Sequence, residues 1–312
     1  MTCKRRAQLS STVPLALRAL LSASLALMLP LCLGAQESVA EPVRFGLIAD
    51  LHAHDIDSPM EGKWMTNTES RLNAFVDAMN AWAADFVIEL GDFVNGWVVL
   101  GALPGDEARI PDILTWAESL YARFDGPRHH VIGNHDVYNM TKDEYLERIE
   151  ASETFYSFDE GGYHFIILDV QFAEDGSAHG DTYMGVAGFL PEQEMAWLAQ
   201  DLAATRAPTV VFIHQMLDQL DEAWGSLLIS NQDEIRALLA SDGDVIAVFQ
   251  GHDHDNVHNV LDGIHYVRFE ALVDQGTPPS WAAVTLDPVN RTITIDGQGE
   301  QANYRLTYPA QD

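Results

Sequence analysis

"VRFGLIADLH", residues Val43 to His52, is an apolar run that ends in an aspartate and a histidine two positions apart. Valine, phenylalanine, leucine and isoleucine suit a buried strand, and the acidic and imidazole side chains come where such a strand would end. The arrangement recurs along the chain. Phe86 to Leu90 is followed by Gly91-Asp92, and His130 to Ile132 by Gly133-Asn134-His135-Asp136. Val210 to Ile213 is followed by His214, and Val245 to Gln250 by Gly251-His252-Asp253-His254. In open α/β sheets the carboxyl ends of strands gather at one edge, so residues far apart in sequence can meet in one cleft. A lone residue of this kind is more often a turn cap or a buried histidine. Five clusters in series, several introduced by a glycine that lets the backbone turn sharply, point instead to one shared site.

Helical patterns separate several of these runs. Apolar residues recur at three- and four-residue spacing over Glu69 to Ala83, Pro111 to Arg123, Lys142 to Ile149, Pro191 to Ala204 and Asn231 to Ala240. Phe165 to Leu168 reads as a further strand. Beyond Gly251 the signals change to hairpins, with strands expected at Val257 to Leu261, His265 to Glu270, Trp281 to Leu286 and Thr292 to Asp296. The expectation is an α/β protein, and residues 41–312 contain no repeat or obvious linker, so they read as a single domain.

Residues 1–40 read differently. Lys4, Arg5 and Arg6 precede an uncharged, mostly apolar stretch from Ala19 to Leu33, and Ser38-Val39-Ala40 offers a small-x-small cleavage pattern. This is the pattern of a secretory signal peptide, so the protein is expected to be exported, either periplasmic or secreted. The apolar stretch is short and contains Pro30, which argues against a permanent membrane anchor. Both cysteines, Cys3 and Cys32, fall in this leader, so the remainder is expected to have no disulfide.

The formal net charge is −30. Nucleic-acid binding rests on lysine and arginine neutralising phosphates, and beyond the leader only Lys63 and Lys142 remain among the lysines. No nucleic-acid partner is expected. Such an acidic field also concentrates cations. Aspartate, asparagine and histidine together supply hard oxygen and imidazole nitrogen donors, a set that suits Mn, Fe, Zn, Ni or Co.

With these clusters in this order, the sequence resembles the calcineurin-like metallophosphoesterases, from Arg44 to about His254. The resemblance rests on Asp50-x-His52, Gly91-Asp92, Gly133-Asn134-His135-Asp136, His214 and Gly251-His252-x-His254. It implies a four-layer α/β/β/α sandwich of two mixed β-sheets flanked by helices. It also implies two metal ions, with Asp50, His52 and His254 on the first, Asp92 bridging, and Asn134, His214 and His252 on the second. Such a pair activates a bridging hydroxide that attacks phosphorus. His135, with Asn134, would face the substrate, His135 stabilising the leaving oxygen, and Asp136 would orient His135.

One position departs from a subgroup. Purple acid phosphatases carry a metal-bound tyrosine three residues after the bridging aspartate, and here that position is Asn95. Asn95 is therefore either a substrate contact or a turn residue. The stretches "HHVIGNHDVYN", His129 to Asn139, and "FYSFDEGGYHFIILD", Phe155 to Asp169, look like the branch containing ADP-ribose and CDP-alcohol diphosphatases. The leading expectation is nevertheless a phosphomonoesterase of the alkaline phosphatase type acting on a small phosphorylated substrate. A phosphodiesterase or nucleotide diphosphatase is the alternative, and a non-catalytic scaffold the remote one.

The remaining histidines, His54, His129, His130, His164, His179, His258 and His265, read as loop or structural residues. Substrate choice is expected in the long connections at 93–110, 172–190 and 215–230, which carry Trp97, Tyr183, Met184 and Trp224. If the chain stays extended past Gly251, alternation turns His252 and His254 one way and Asp253 the other. Asp255 is either a partner for His254 or one more surface charge.

Overall fold

The computed structural model describes residues 41–54, 65–96, 107–180, 187–218, 228–274 and 278–310. The leader, along with Trp97, Tyr183, Met184 and Trp224, lies outside the described residues.

Strands β1 (Val43–Ile48), β2 (Phe86–Glu89) and β3 (Arg128–His130) are parallel neighbours. Parallel pairing requires a crossover, and helices α1 (Thr68–Trp82) and α2 (Ile110–Tyr121) lie in the two connections. Strand β3 stops earlier than the apolar run predicted. Val131 still donates its N–H to Glu89 O at 3.0 Å, after which the chain turns at Gly133. A short helix, α3 (Lys142–Arg148), follows, opened by a capping box between Thr141 and Glu144.

The second sheet begins with a hairpin of β4 (Tyr156–Glu160) and β5 (Tyr163–Ile167). Helix α4 (Glu192–Ala204) leads to β6 (Thr209–Ile213), and α5 (Gln232–Asp242) leads to β7 (Val245–Gln250). A second hairpin, β8 (Val257–Leu261) and β9 (Ile264–Arg268), places β9 parallel to β7. The chain then returns to the first sheet with β10 (Trp281–Asp287), β11 (Thr292–Gln298) and β12 (Tyr304–Thr307). The sheet orders are β12-β11-β10-β1-β2-β3 and β4-β5-β6-β7-β9-β8, both mixed.

The two sheets share a core of inward-facing side chains, including Phe45, Phe86, Phe165, Phe212 and Phe249, all at most 1% exposed. Phe45 and Phe86 stack at 4.7 Å, and Phe45 meets Phe165 and Phe212 edge-on. Each buried phenylalanine contributes on the order of 1.5–3 kcal/mol. Alternation along β1 sends Phe45 and Leu47 into this core and Ile48 toward α1 to α3, which cover the outer face through Leu72, Phe75, Met79, Leu114 and Tyr145. Gly46 lies on that outer face, where a Cβ would come within 2.4 Å of Met79 Sδ and would force Met79 to shift. Helices α4 and α5 cover the second sheet through Leu198, Leu202, Ile235 and Leu239. The result is the expected four-layer sandwich, and the carboxyl ends of β1, β2, β3, β6 and β7 open at a common edge.

Candidate metal centre

At that edge the strand-end residues meet. Three groups of donor atoms could each hold an ion: Asp50, His52 and His254; His52, Asp92 and His135; and Asp92, His214 and His252. The members of each group lie within 4.8 Å of one another. Asp92 joins them, with Oδ1 3.3 Å from His214 Nε2 and Oδ2 3.6 Å from His52 Nε2. Asn134 presents Oδ1 at 3.2 Å from His214 Nε2, while its amide nitrogen donates to Tyr138 Oη at 2.6 Å.

Several rings are oriented through the nitrogen that faces away from this cluster. His52 Nδ1 donates to Asn95 Oδ1 at 2.9 Å, His214 Nδ1 to Leu90 O at 2.7 Å and His254 Nδ1 to Asp274 Oδ1 at 3.2 Å. With the proton on Nδ1, the neutral imidazole leaves a bare lone pair at Nε2. His52 Nε2 and His254 Nε2 then face each other at 3.2 Å, an arrangement that repels unless a cation or proton lies between them. Asp50 Oδ1 is buried and makes no hydrogen bond, lying 3.5 Å from His254 Nε2 and 3.9 Å from His52 Nε2. The donor set fits bound cations.

The local field favours positive charge at His214 and negative charge at Asp92. Burial works against a charge on His214, but Asp92, Asp50 and the Leu90 carbonyl overcome it and raise its pKa to about 9. Burial likewise opposes ionisation of Asp92, yet His214, His135 and His52 hold its carboxyl well below the ordinary range. His252 is pushed down to about 3 by burial and by neighbouring His214, so it stays neutral and able to donate a lone pair.

The backbone is shaped for this arrangement. Asp50, His52, Asp92, His252 and His254 all have positive φ, between 45° and 78°, a region that side-chain-bearing residues rarely occupy. Clustering of such residues is a mark of functional sites. Gly133 packs directly on the bridging position, since a Cβ there would lie 2.2 Å from Asp92 N and 2.3 Å from Asp92 Oδ1.

A family model for calcineurin-like phosphoesterases matches residues 43–256. The chain belongs to this family. As a calcineurin-like phosphoesterase it is a metal-dependent phosphoric ester hydrolase. It is 24% identical over 299 residues to the manganese-dependent ADP-ribose/CDP-alcohol diphosphatase of Oryza sativa subsp. japonica, covering 79% of this chain and 88% of that protein. It is 23% identical to the protein of the same name in Arabidopsis thaliana, covering 81% and 93%. A solved dimetal phosphatase from Danio rerio shares the fold, with TM-score 0.69, 20% identity, and 86% and 99% of the two chains covered.

Four expectations change against this phosphoesterase structure. The segment past Gly251 is not extended: β7 ends at Gln250, and the left-handed turns at His252 and His254 send the two rings to different donor groups. Asp136 does not reach the ring of His135. Its two carboxylate oxygens accept the N–H groups of Val94 at 3.0 Å and Gly133 at 2.8 Å, because the short helical turn at His135–Val137 folds it back against the loops. His135 is instead oriented by Gly96 O, which accepts from Nδ1 at 2.8 Å. His254 takes its carboxylate partner from Asp274, while Asp255 donates its N–H to Asp253 Oδ1. Asn95 lies behind His52 as its hydrogen-bond acceptor.

Asp274, Tyr138 and the Gly96 carbonyl were not legible as site residues, since no local pattern marks them. Glu89 had a signal, being the one charged residue inside the apolar run Phe86 to Leu90. It is buried, accepts from Gly91 N at 2.8 Å and lies 2.9 Å from His130 Nδ1, bracing the turn that carries Asp92.

Proposed function

We propose that this chain is a manganese-dependent diphosphatase cleaving the phosphoanhydride of small nucleoside-diphosphate compounds of the ADP-ribose and CDP-alcohol kind. The phosphomonoesterase expected first from sequence gives way to its alternative. The supporting observation is that relatives carrying that activity in their names align over about four fifths or more of both chains, onto a chain whose two-ion donor set is intact.

In this reading Asp50, His52 and His254 hold one ion, Asn134, His214 and His252 hold the other, and Asp92 reaches both. Two bound divalent ions neutralise phosphoryl charge and make hydroxide available near neutral pH. A chain of formal charge −30 otherwise repels a diphosphate, so the local positive field has to come from the ions. With Nδ1 held by Gly96 O, His135 turns Nε2 toward the cleft, 3.9 Å from Asp92 Oδ2. A proton on Nε2 would stabilise the oxygen of the departing phosphate. The leader pattern at residues 1–40 supports an exported setting for the reaction.

The test is a hydrolysis panel on manganese-loaded protein, with ADP-ribose, CDP-choline, nitrophenyl phosphate and bis-nitrophenyl phosphate, products being resolved by anion exchange. The expected result is release of AMP and CMP with a higher kcat/KM than for either nitrophenyl ester. A preference for nitrophenyl phosphate would restore the phosphomonoesterase. No hydrolysis of any compound with both ions bound would favour a scaffold.

A further inference from the structure

Arg268 is the last residue of β9 and lies beside Gln250, the last residue of β7, in parallel register. It is only 7% exposed, and it lies far in sequence from every residue assigned above except those around His254 and Asp274. Its guanidinium meets two carboxylates on separate loops. Nη1 donates to Asp253, and Nε lies 3.4 Å from Asp218 Oδ1. Asp253 stands between His252 and His254, whereas Asp218 stands four residues beyond His214.

The Asp218 side is itself locked. Its Oδ1 accepts from Gln250 Nε2 at 3.3 Å and its Oδ2 from Asn259 Nδ2 at 2.7 Å, while Gln250 Oε1 accepts the N–H of Leu217 at 2.5 Å. One buried cation therefore ties the loop bearing His214 to the loop bearing His252 and His254. The second loop needs such a tie. His252 and His254 have φ of 78° and 60°, and left-handed residues without a glycine's freedom persist only where the surroundings hold them. The position between them is the one Arg268 grips.

We infer that Arg268, acting through Asp253, is a positioning residue that holds the left-handed turn splitting His252 and His254 between the two ions. It is not one of the donor residues assigned above. An arginine suits the role because its planar fork can serve two carboxylates at once, whereas a lysine offers a point charge. The inference rests on the two-ion reading above.

The test compares the full chain with D253N, R268M and R268K. Manganese is titrated into metal-stripped protein by calorimetry, the bound ions are examined by electron paramagnetic resonance, and folding is checked by circular dichroism. The wild type is expected to bind two ions with an exchange-coupled signal. D253N, folded, should bind them about 10- to 100-fold more weakly, the scale seen when a partner orienting a ligand is lost, with isolated-ion signal replacing the coupled one. R268M should lose at least as much, and R268K should recover part of the affinity. R268M leaves two buried carboxylates without their cation and can fail to fold, which is why D253N is measured beside it. Wild-type affinity and coupling in folded D253N, or in folded R268M, overturns the inference alone. A wild-type chain that binds fewer than two ions overturns the two-ion reading and this inference with it.

Discussion

Asn95 Oδ1 accepts the Nδ1 proton of His52 at 2.9 Å, and so turns the bare Nε2 of that ring toward Asp50, Asp92 and His254. Asn95→Ala removes the acceptor and lets the ring rotate or change tautomer. The expected outcome is manganese affinity lower by about 10- to 100-fold with the fold intact, read by calorimetry. Asp274→Ala should act in the same direction through His254. Unchanged affinity in both would remove these residues from the site.

Metal removal should destabilise the protein as well as silence it. Without ions, bare imidazole nitrogens face each other and Asp50 Oδ1 is left without a hydrogen bond. Manganese at about 100 times its Kd stabilises the folded state by roughly 2.7 kcal/mol per site, which corresponds to a rise in Tm of roughly 5–10 °C. Thermal melts with chelator and with graded manganese measure this. A Tm indifferent to manganese would sink the prediction.

Gly133→Ala should be among the most damaging small substitutions. The added Cβ would lie 2.2 Å from Asp92 N, so either the turn at Gly133 or Asp92 itself must move. A displacement of about 1 Å at a reacting centre costs on the order of 100-fold in rate, and overpacking costs about 1–3 kcal/mol. Steady-state kinetics and denaturant melts report the two effects separately.

His135→Ala should keep both ions and lose rate, because the ring is held through Gly96 rather than through an assigned ligand. The loss should be larger for substrates with poor leaving groups than for nitrophenyl esters, where little protonation is needed. A comparison of kcat across a leaving-group series decides it, and equal losses would count against the acid role.

His130 links pH to stability away from the ions. Its Nδ1 lies 2.9 Å from Glu89 Oε1 and its Nε2 3.2 Å from Glu118 Oε2. Burial opposes its charge, but the hydrogen bonds and charges of Glu118 and Glu89 prevail and raise its pKa to about 9. Since this lies above the unfolded value of about 6.5, the stabilisation is fully present below that pH and is lost as pH rises through about 9. The stability difference between wild type and His130→Gln, on the order of 3 kcal/mol at most, should therefore shrink between those limits in urea melts. A difference independent of pH would falsify the charged imidazole.

Much of this protein was written locally in its sequence. Apolar alternation and helical spacing located α1 to α5 and most strands to within a few residues, because burial of one face imposes a period on neighbouring residues. β12 and the outer strand of the Tyr156–Ile167 hairpin carry weaker patterns, since an edge strand with one wet face shows fewer apolar residues. The ligand-type residues were equally legible, because each ends a strand whose direction delivers it to the common edge.

What tertiary structure alone decided is how those side chains are held. Asn95 behind His52, Asp274 behind His254, Gly96 behind His135 and Arg268 between Asp253 and Asp218 are pairings across loops. No local pattern encodes them, because a hydrogen bond needs only a donor and an acceptor brought within reach, and closure of the two sheets determines which residues those are. The same holds for the turn at His252 to His254, where alternation predicted an extended chain and a long-range ion pair accompanies a left-handed one. Local periodicity determined which residues reach the edge; packing of distant segments determined how each one is aimed.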